Sequence, residues 1–142
     1  MIPVEVETYL ANAPGEVLRA SRASAEKVLQ TLGVALNTEF ADFYLKYQGC
    51  FISPRPVSEL MDIDGPEIPN IAAELGYVQD RYDLPANYLP LTTDEGEGMY
   101  LYAINSGTVY DMDFDNLPDL LTNKLPPRWP DFNAFLIWFF SE

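Results

Sequence analysis

The chain has 142 residues, of which 48% are hydrophobic and 21% charged, and this composition predicts one folded domain over residues 1–142. Its 22 acidic and 8 basic residues give a net charge of −14, which disfavours direct binding to nucleic acid or to anionic membranes. Histidine is absent and cysteine occurs once. That excludes histidine-based catalysis, an internal disulfide and a cysteine metal cluster.

The start of the chain has no basic, apolar leader, and the longest apolar run, residues 134–140, has seven residues. A membrane span needs about 18. We therefore expect neither a signal peptide nor a membrane span. Together with the single cysteine, this predicts a reducing, cytoplasmic location.

Helices are predicted through the first third of the chain. Residues 4–11 suit a strand or a short helix, and helix is favoured. Residues 24–32 predict a helix that Ser24 caps and Gly33 ends. Residues 38–47 predict another, capped by the residue at 37 or 38. Its aromatic stripe suits a ligand box or a hydrophobic core, and core is favoured: Phe40, Phe43, Tyr44, Tyr47.

The middle of the chain predicts short elements between prolines. Residues 57–63 suit a short strand, and residues 88–91 suit a strand in which Pro90 requires an edge position or a bulge. Residues 66–81 predict a helix with five apolar side chains facing inward: Ile68, Ile71, Ala72, Leu75, Val78.

Residues 99–104 and 108–114 predict a β-hairpin around the turn residues 105–107. The first run is apolar on both faces, as a central strand would be. The second alternates, so that two sets of three side chains face opposite ways: Tyr110, Met112 and Phe114 on one side, Asp111, Asp113 and Asp115 on the other.

Residues 131–140 predict a last helix with Asp131 as its N-cap. This helix is apolar nearly all round, so it is expected to lie deep in the core or to meet another chain. Core is favoured, and a homodimer is left open.

The densest chemical feature is acidic. No basic residue lies between Arg81 and Lys124, while eight acids do. The loop 92–98 and the second hairpin strand carry most of them, and they suit either a docking surface for cationic groups or a solvated strand face. Six are our candidate partner-binding residues: Asp94, Glu95, Glu97, Asp111, Asp113, Asp115.

Other kinds of site fit the sequence less well. The run from Asp111 begins like a calcium loop, but Asn116 replaces the expected glycine and Thr122 the expected glutamate. No pair of carboxylates is marked as a catalytic pocket. Cys50 has no basic neighbour; it suits a small buried residue or a reactive thiol, and the buried residue is favoured. We predict no catalytic residue, no metal and no cofactor.

The order of the segments resembles the SUKH superfamily. The resemblance covers most of the chain, and it departs at Asn37, where proline is usual, and at residues 92–96, where the family loop is richer in glycine. It rests on four stretches: Glu26 with Leu32-Gly33-Val34, Leu36, Phe40, Phe43-Tyr44, Tyr47 and Gly49; residues 84–91; Tyr100-Leu101 with Gly107, Val109-Tyr110-Asp111 and Asp113; and residues 131–136.

The resemblance implies an α+β domain with a mixed, mainly antiparallel sheet packed by helices. It also implies a cytoplasmic immunity protein that binds and neutralises a cognate toxin domain, and the family offers no catalytic residues to transfer. The charge of this chain favours a basic toxin, for which a nuclease is one candidate. The alternative is a regulatory or scaffolding interaction domain of the same fold without a toxin.

Overall fold

A computed structural model describes all residues, 1–142, as six helices around one three-stranded sheet. None of these helices has the length and apolar character that a membrane crossing would require. The combination of helices with one antiparallel sheet confirms the predicted α+β fold class. In chain order the elements are α1 (Val4–Ala11), α2 (Arg22–Leu32), α3 (Glu39–Lys46), α4 (Ile71–Tyr82), β1 (Tyr88–Pro90), β2 (Gly98–Ala103), β3 (Val109–Asp113), α5 (Leu117–Leu121) and α6 (Phe132–Phe139).

The sheet has the order β1-β2-β3, and both strand pairs are antiparallel. β2 is the central strand, as its apolar sequence predicts, and Pro90 lies in an edge strand, where its missing N–H interrupts no ladder. Side chains alternate along β2, so Tyr102 joins the larger hydrophobic core on one face while Leu101 joins a smaller cluster on the other.

The larger core has 27 buried residues and lies between the sheet and the helices α1, α2, α3 and α6. Its centre is aromatic: the Phe40 ring stacks on Tyr102 with centroids 4.4 Å apart and packs against Phe132 at 5.0 Å. All four rings of the predicted α3 stripe are buried. The interpretation as core is confirmed.

The smaller cluster of nine buried residues covers the opposite sheet face. Val78 and Tyr82 of α4 and Leu120 of α5 pack there on Met99 and Met112. The sheet therefore lies between two layers of helix, and only its ends and edges remain available to solvent.

Helix ends follow their capping residues. Ser21, and not Ser24, caps α2: its hydroxyl accepts from the Ser24 N–H at 3.2 Å, so the helix begins two residues before the predicted start. Thr38 caps α3 and Asp131 caps α6, as predicted. Gly33 takes a φ of +85° after α2, a left-handed conformation that glycine adopts without strain.

Two predictions for the middle of the chain are wrong. Residues 57–63 form no strand, and only an isolated bridge joins Phe51 to Leu60. The helix predicted over residues 66–81 begins at Ile71, because Asn70 caps it. Ile68 therefore lies in the preceding loop and is 78% exposed, and Ala72 faces solvent. α5 was not predicted.

A half-exposed apolar face remains at the junction of α1 and α6. Ile137 of α6 is 38% exposed and Val4 of α1 is 72% exposed. The rest of α6 is largely buried, in agreement with the core interpretation. A homodimer stays an untested prediction.

An ion pair shielded from solvent links Arg19, before α2, to Asp62 in the loop between α3 and α4. The Arg19 guanidinium contacts both oxygens of Asp62, at 2.7 and 3.2 Å, and also donates to the carbonyls of Tyr44 and Tyr47. Asp62 accepts in addition from the N–H of Gly49. Both side chains of the pair are nearly nine-tenths buried. The arginine thereby satisfies carbonyls that the end of α3 leaves unpaired.

Candidate functional site

The structure brings the acidic loop, residues 92–98, together with the end of β3. Gly98 pairs with Asp113 at the mouth of the hairpin, and the Phe114 N–H donates to the Glu97 carbonyl at 3.3 Å. Exposed carboxylates of the loop and of the strand end therefore share one surface: Glu95, Glu97, Asp113, Asp115. We call these four residues the acidic surface. None of them forms an ion pair within the chain.

A close approach of backbones fixes the shape of the loop. A Cβ atom on Gly98 would lie 2.3 Å from the Met112 carbonyl oxygen, so only glycine fits there. Glu97, immediately before it, has a φ of +67°, which is strained for a residue with a side chain. The chain thus holds Glu97 in a rare conformation beside the strand end.

Asp94 is set apart from the other candidates because it faces α4. One of its oxygens accepts from the Tyr77 hydroxyl at 2.8 Å and also from the Tyr82 hydroxyl. Burial acts to raise the pKa of the Asp94 carboxyl, but the hydrogen bonds from the two hydroxyls and the backbone, together with the Arg81 guanidinium 3.9 Å away, outweigh it and the pKa is lowered. Asp94 therefore attaches the loop to α4, and its charge is largely satisfied within the chain.

The two tyrosines show the reciprocal effect. Burial, followed by its hydrogen bond to Asp94, raises the pKa of Tyr82, and Tyr77's own hydrogen bond to Asp94 is the main cause of its raised pKa. Both hydroxyls thus keep their protons beyond the usual range and remain donors to the carboxylate.

Asp111 also has a partner within the chain. It contacts the Arg128 guanidinium at 2.6 Å and lies opposite Tyr100 across the hairpin. Arg128 in turn covers the Trp129 ring at 4.5 Å. Asp111 is thus part of an Arg–Trp cluster, while Asp113 exchanges hydrogen bonds with Asn116. The three aspartates of the calcium-like run do not share one ladder, because β3 ends at Asp113 and Asp115 lies in the following turn.

A shallow groove of about 220 Å³ runs beside the acidic surface. Its lining includes Asp111 and Asp113 of β3, Gly96 and Gly98 of the acidic loop, and residues 56–58. Sequence reasoning did not assign residues 56–58 to this region. No local pattern could have done so, since they are about forty residues from the loop in sequence.

Sequence reasoning also missed the aromatic residues at this surface. Phe114 is 45% exposed, and its ring stacks on Tyr82 with centroids 5.7 Å apart. The alternation of β3 placed Phe114 on the side of the buried Met112, and the end of the strand explains why it emerges into solvent instead. The exposed Tyr77 lies in the same cluster through its bond to Asp94.

Cys50 is half-buried rather than fully buried, and its Sγ atom lies 3.9 Å from the Pro69 carbonyl oxygen. Burial raises the pKa of the Cys50 thiol. A raised pKa disfavours the thiolate, which is the form that attacks electrophiles and binds metals.

No curated protein matches the chain. The model of the SMI1 / KNR4 family (SUKH-1) matches residues 19–138, a span that runs from Arg19 of the shielded ion pair to Trp138 of α6 and includes the whole sheet and the acidic loop. The chain therefore belongs to the SMI1 / KNR4 (SUKH-1) family.

Proposed function

We propose that this protein is a cytoplasmic immunity protein, one domain over residues 1–142, that binds a basic toxin domain and neutralises it. The observation that carries the proposal is the acidic surface, where the carboxylates of Glu95, Glu97, Asp113 and Asp115 are exposed together without a cation of their own. Family membership supports it, because the SUKH resemblance implies toxin binding.

The charge of such a surface raises the rate at which it associates with a basic partner. Like charges brought together on one surface repel one another, and a cationic partner relieves that repulsion. Complementary charge also steers diffusing proteins together, so that association exceeds the roughly 10⁵–10⁶ M⁻¹s⁻¹ of uncharged surfaces. Rapid capture suits a protein that must inactivate a toxin before the toxin acts. A nuclease fits this chemistry, since its active cleft is built to receive phosphates.

The role proposed here is binding rather than catalysis. The residues that could do acid–base work already have structural partners: Asp94 with two tyrosines, Asp111 with Arg128, and Asp62 with Arg19. Blocking a toxin requires only that the surface cover the toxin's active cleft or lock its conformation.

The test is a binding titration against the C-terminal domain of a large protein encoded next to this one, at low and high salt. We expect tight one-to-one binding with an association rate that falls as salt rises. Charge reversal Glu95→Lys should slow association, while Asp64→Lys, which alters another exposed acid, on the loop before α4, should have a smaller effect.

The variant results distinguish the site from the role. Reversal at Asp113 should act like Glu95→Lys, whereas reversal at Asp111 also breaks the ion pair with Arg128 and perturbs the neighbouring cluster. Tight binding that changes neither with salt nor in Glu95→Lys would support the immunity role but reject the acidic surface as the binding site. No binding would favour the alternative, a regulatory or scaffolding interaction domain without a toxin.

A further inference from the structure

A pocket lies at the turn of the hairpin, beside the first residues of α3 and α6. It has a volume of about 400 Å³, and its lining includes Glu39, Tyr102, Gly107 and Asp131. The acidic loop lies at the other end of β2, six residues away, which is about 20 Å along a strand. The pocket is therefore separate from the acidic surface, and the proposed function makes no use of it.

The hydroxyl of Tyr102 has no partner in this pocket. Tyr102 is only 2% exposed, and its ring packs against Phe40, with centroids 4.4 Å apart, and Phe132 at 5.6 Å. Its hydroxyl oxygen would lie 4.0 Å from a Cβ atom on Gly107, and it forms no hydrogen bond within the chain, unlike other tyrosine hydroxyls. A polar group held so firmly costs free energy unless a molecule outside the chain bonds to it.

Two carboxylates reach the same pocket. Glu39 and Asp131 directly precede, in sequence, the two phenylalanines that pack on the tyrosine ring. The Oε1 atom of Glu39 accepts from the Asn133 N–H at 3.1 Å. The Oδ1 atom of Asp131 accepts from the Ala134 N–H at 2.7 Å. The other oxygen of each carboxylate has no partner within the chain, so two acceptors are left beside the tyrosine hydroxyl.

The charge of the pocket favours a cation. Neither Glu39 nor Asp131 forms an ion pair. A helix N-terminus carries about half a positive charge, so the ends of α3 and α6 offset about one of the two negative charges and leave about one. Burial, and then the charge of Glu39, raise the pKa of the Tyr102 hydroxyl. The nearby amino group of Met1 is bonded to Asp42 at 2.9 Å and is not a partner for Glu39.

We propose that this pocket binds a primary ammonium group through the Tyr102 hydroxyl and the free oxygens of Glu39 and Asp131. An ammonium has three N–H donors, one for each of these acceptors. A guanidinium prefers both oxygens of one carboxylate, and each carboxylate here already gives one oxygen to α6. The alkyl stem of the ligand can pack on Ile104 and Phe132, the apolar side chains of the lining.

The experiment titrates the full chain, labelled with ¹⁵N and with ¹³C in its tyrosine rings, by NMR at constant ionic strength. The probes are n-butylammonium, n-propylguanidinium and n-butanol. We expect n-butylammonium to bind most tightly and to shift saturably the signals of the Tyr102 ring and of the amides at 105–107. The uncharged n-butanol should bind about ten-fold more weakly, because hydrogen bonds to charged groups are stronger. Equal binding of n-butanol, or no saturable shift at these signals, would overturn the proposal.

A fourth probe distinguishes two sources of the ammonium group. Nα-acetyl-lysine methylamide carries it on a side chain attached to a peptide backbone. Binding at least as tight as that of n-butylammonium would identify a lysine of a partner protein as the ligand. Weaker binding would identify a free alkylamine, because the added peptide groups then do not fit the pocket.

The variant Tyr102→Phe tests the hydroxyl alone. It should weaken n-butylammonium binding about five-fold, the equivalent of one net hydrogen bond. Its midpoint of chemical denaturation should equal that of the wild-type chain. Tyr44→Phe is the matched control and should lower the midpoint, because the buried Tyr44 hydroxyl donates to the Met61 carbonyl at 2.8 Å. Unchanged binding in Tyr102→Phe, or a loss of stability as large as in Tyr44→Phe, would contradict the assignment of the hydroxyl to a ligand.

Conservative variants test the two carboxylates. Glu39→Gln and Asp131→Asn each remove a charge but keep an oxygen that can accept from α6, so the fold should be retained. Both should weaken n-butylammonium binding, while Asp64→Asn, which removes an exposed carboxylate on the loop before α4, should not. Equal effects of all three variants would show that general charge, and not this pocket, attracts the cation.

Discussion

At the scale of single residues, Asp94 is a charged side chain that stabilises the fold through contacts within the chain and is not free to bind a partner. The sequence groups it with the exposed acids because it lies in the same loop as Glu95 and Glu97. Its partners Tyr77 and Tyr82 precede it by 17 and 12 residues on a helix, and no local spacing connects them. Contacts of this kind depend on how α4 packs on the sheet, which sequence patterns do not specify.

Removal of the Tyr82 hydroxyl should therefore loosen the acidic loop. We expect Tyr82→Phe to lower the free energy of unfolding by about 1.5 kcal/mol, the usual contribution of a hydrogen bond to a charged group. Tyr77→Phe should cost less, because Tyr77 is far more exposed. Chemical denaturation measures both. A larger loss for Tyr77→Phe would contradict the assignment of Tyr82 as the principal anchor.

The same contacts predict a pH dependence. Because the folded pKa of Asp94 is lowered, its stabilising effect is present above the unfolded value of about 3.9 and is lost as the pH falls through the folded pKa. The raised pKa values of Tyr77 and Tyr82 predict the opposite limb, present below about 10 and lost as the pH rises further. The stability difference between the wild-type chain and Asp94→Asn should be greatest between these limits. A difference that is constant with pH would contradict this.

At the scale of elements, the sequence predicted those helices and strands whose defining residues lie close together in the chain. α3, α6 and the hairpin carry their caps, stripes and turn residues within a dozen positions, and their predictions are confirmed within one or two residues. The strand predicted over residues 57–63 is absent because the backbone hydrogen bonds of this segment go to several separate parts of the chain. Leu60 bonds to Phe51, Met61 to Leu91, and Asp62 to the first residue of α4, so no continuous ladder forms.

The Arg19–Asp62 pair joins elements that the sequence leaves unconnected, and it should be costly to break. We expect Asp62→Ala to destabilise the chain by about 3 kcal/mol, because it leaves a shielded guanidinium without its carboxylate. Glu26→Ala, which removes the exposed i,i+4 partner of Arg22, is the control and should cost at most about 0.5 kcal/mol. Equal losses in thermal or denaturant unfolding would reject this role.

At the scale of the whole molecule, charge is the dominant property. The candidate acids could be proposed from the sequence because a gap in basic residues is visible there. Their division into satisfied and free groups could not, since it depends on Arg128, Tyr77 and Tyr82 in three dimensions. The structure leaves a smaller acidic surface than the composition suggests, but one whose carboxylates form no ion pair within the chain.

Self-repulsion at a net charge of −14 should make stability depend on salt. We expect the Tm at pH 7 to rise when NaCl is increased from about 10 to 100 mM, as the screening length falls from about 30 to 10 Å. Near pH 4.1, the sequence pI, the same addition should have little effect. A Tm that falls with salt at pH 7 would show that attractive ion pairs outweigh the repulsion.

The two tryptophans of the chain lie side by side, with the rings of Trp129 and Trp138 4.9 Å apart and Arg128 over both. Tryptophan fluorescence therefore arises from a single place, on the sheet face that carries Asp111. Phe114 stacks on Tyr82, which packs against the opposite face. A partner that disturbs Arg128 or fills the neighbouring groove should change the emission, while one that contacts only Phe114 and its neighbours should leave it nearly constant. Tryptophan emission can therefore report which face of the sheet a partner binds.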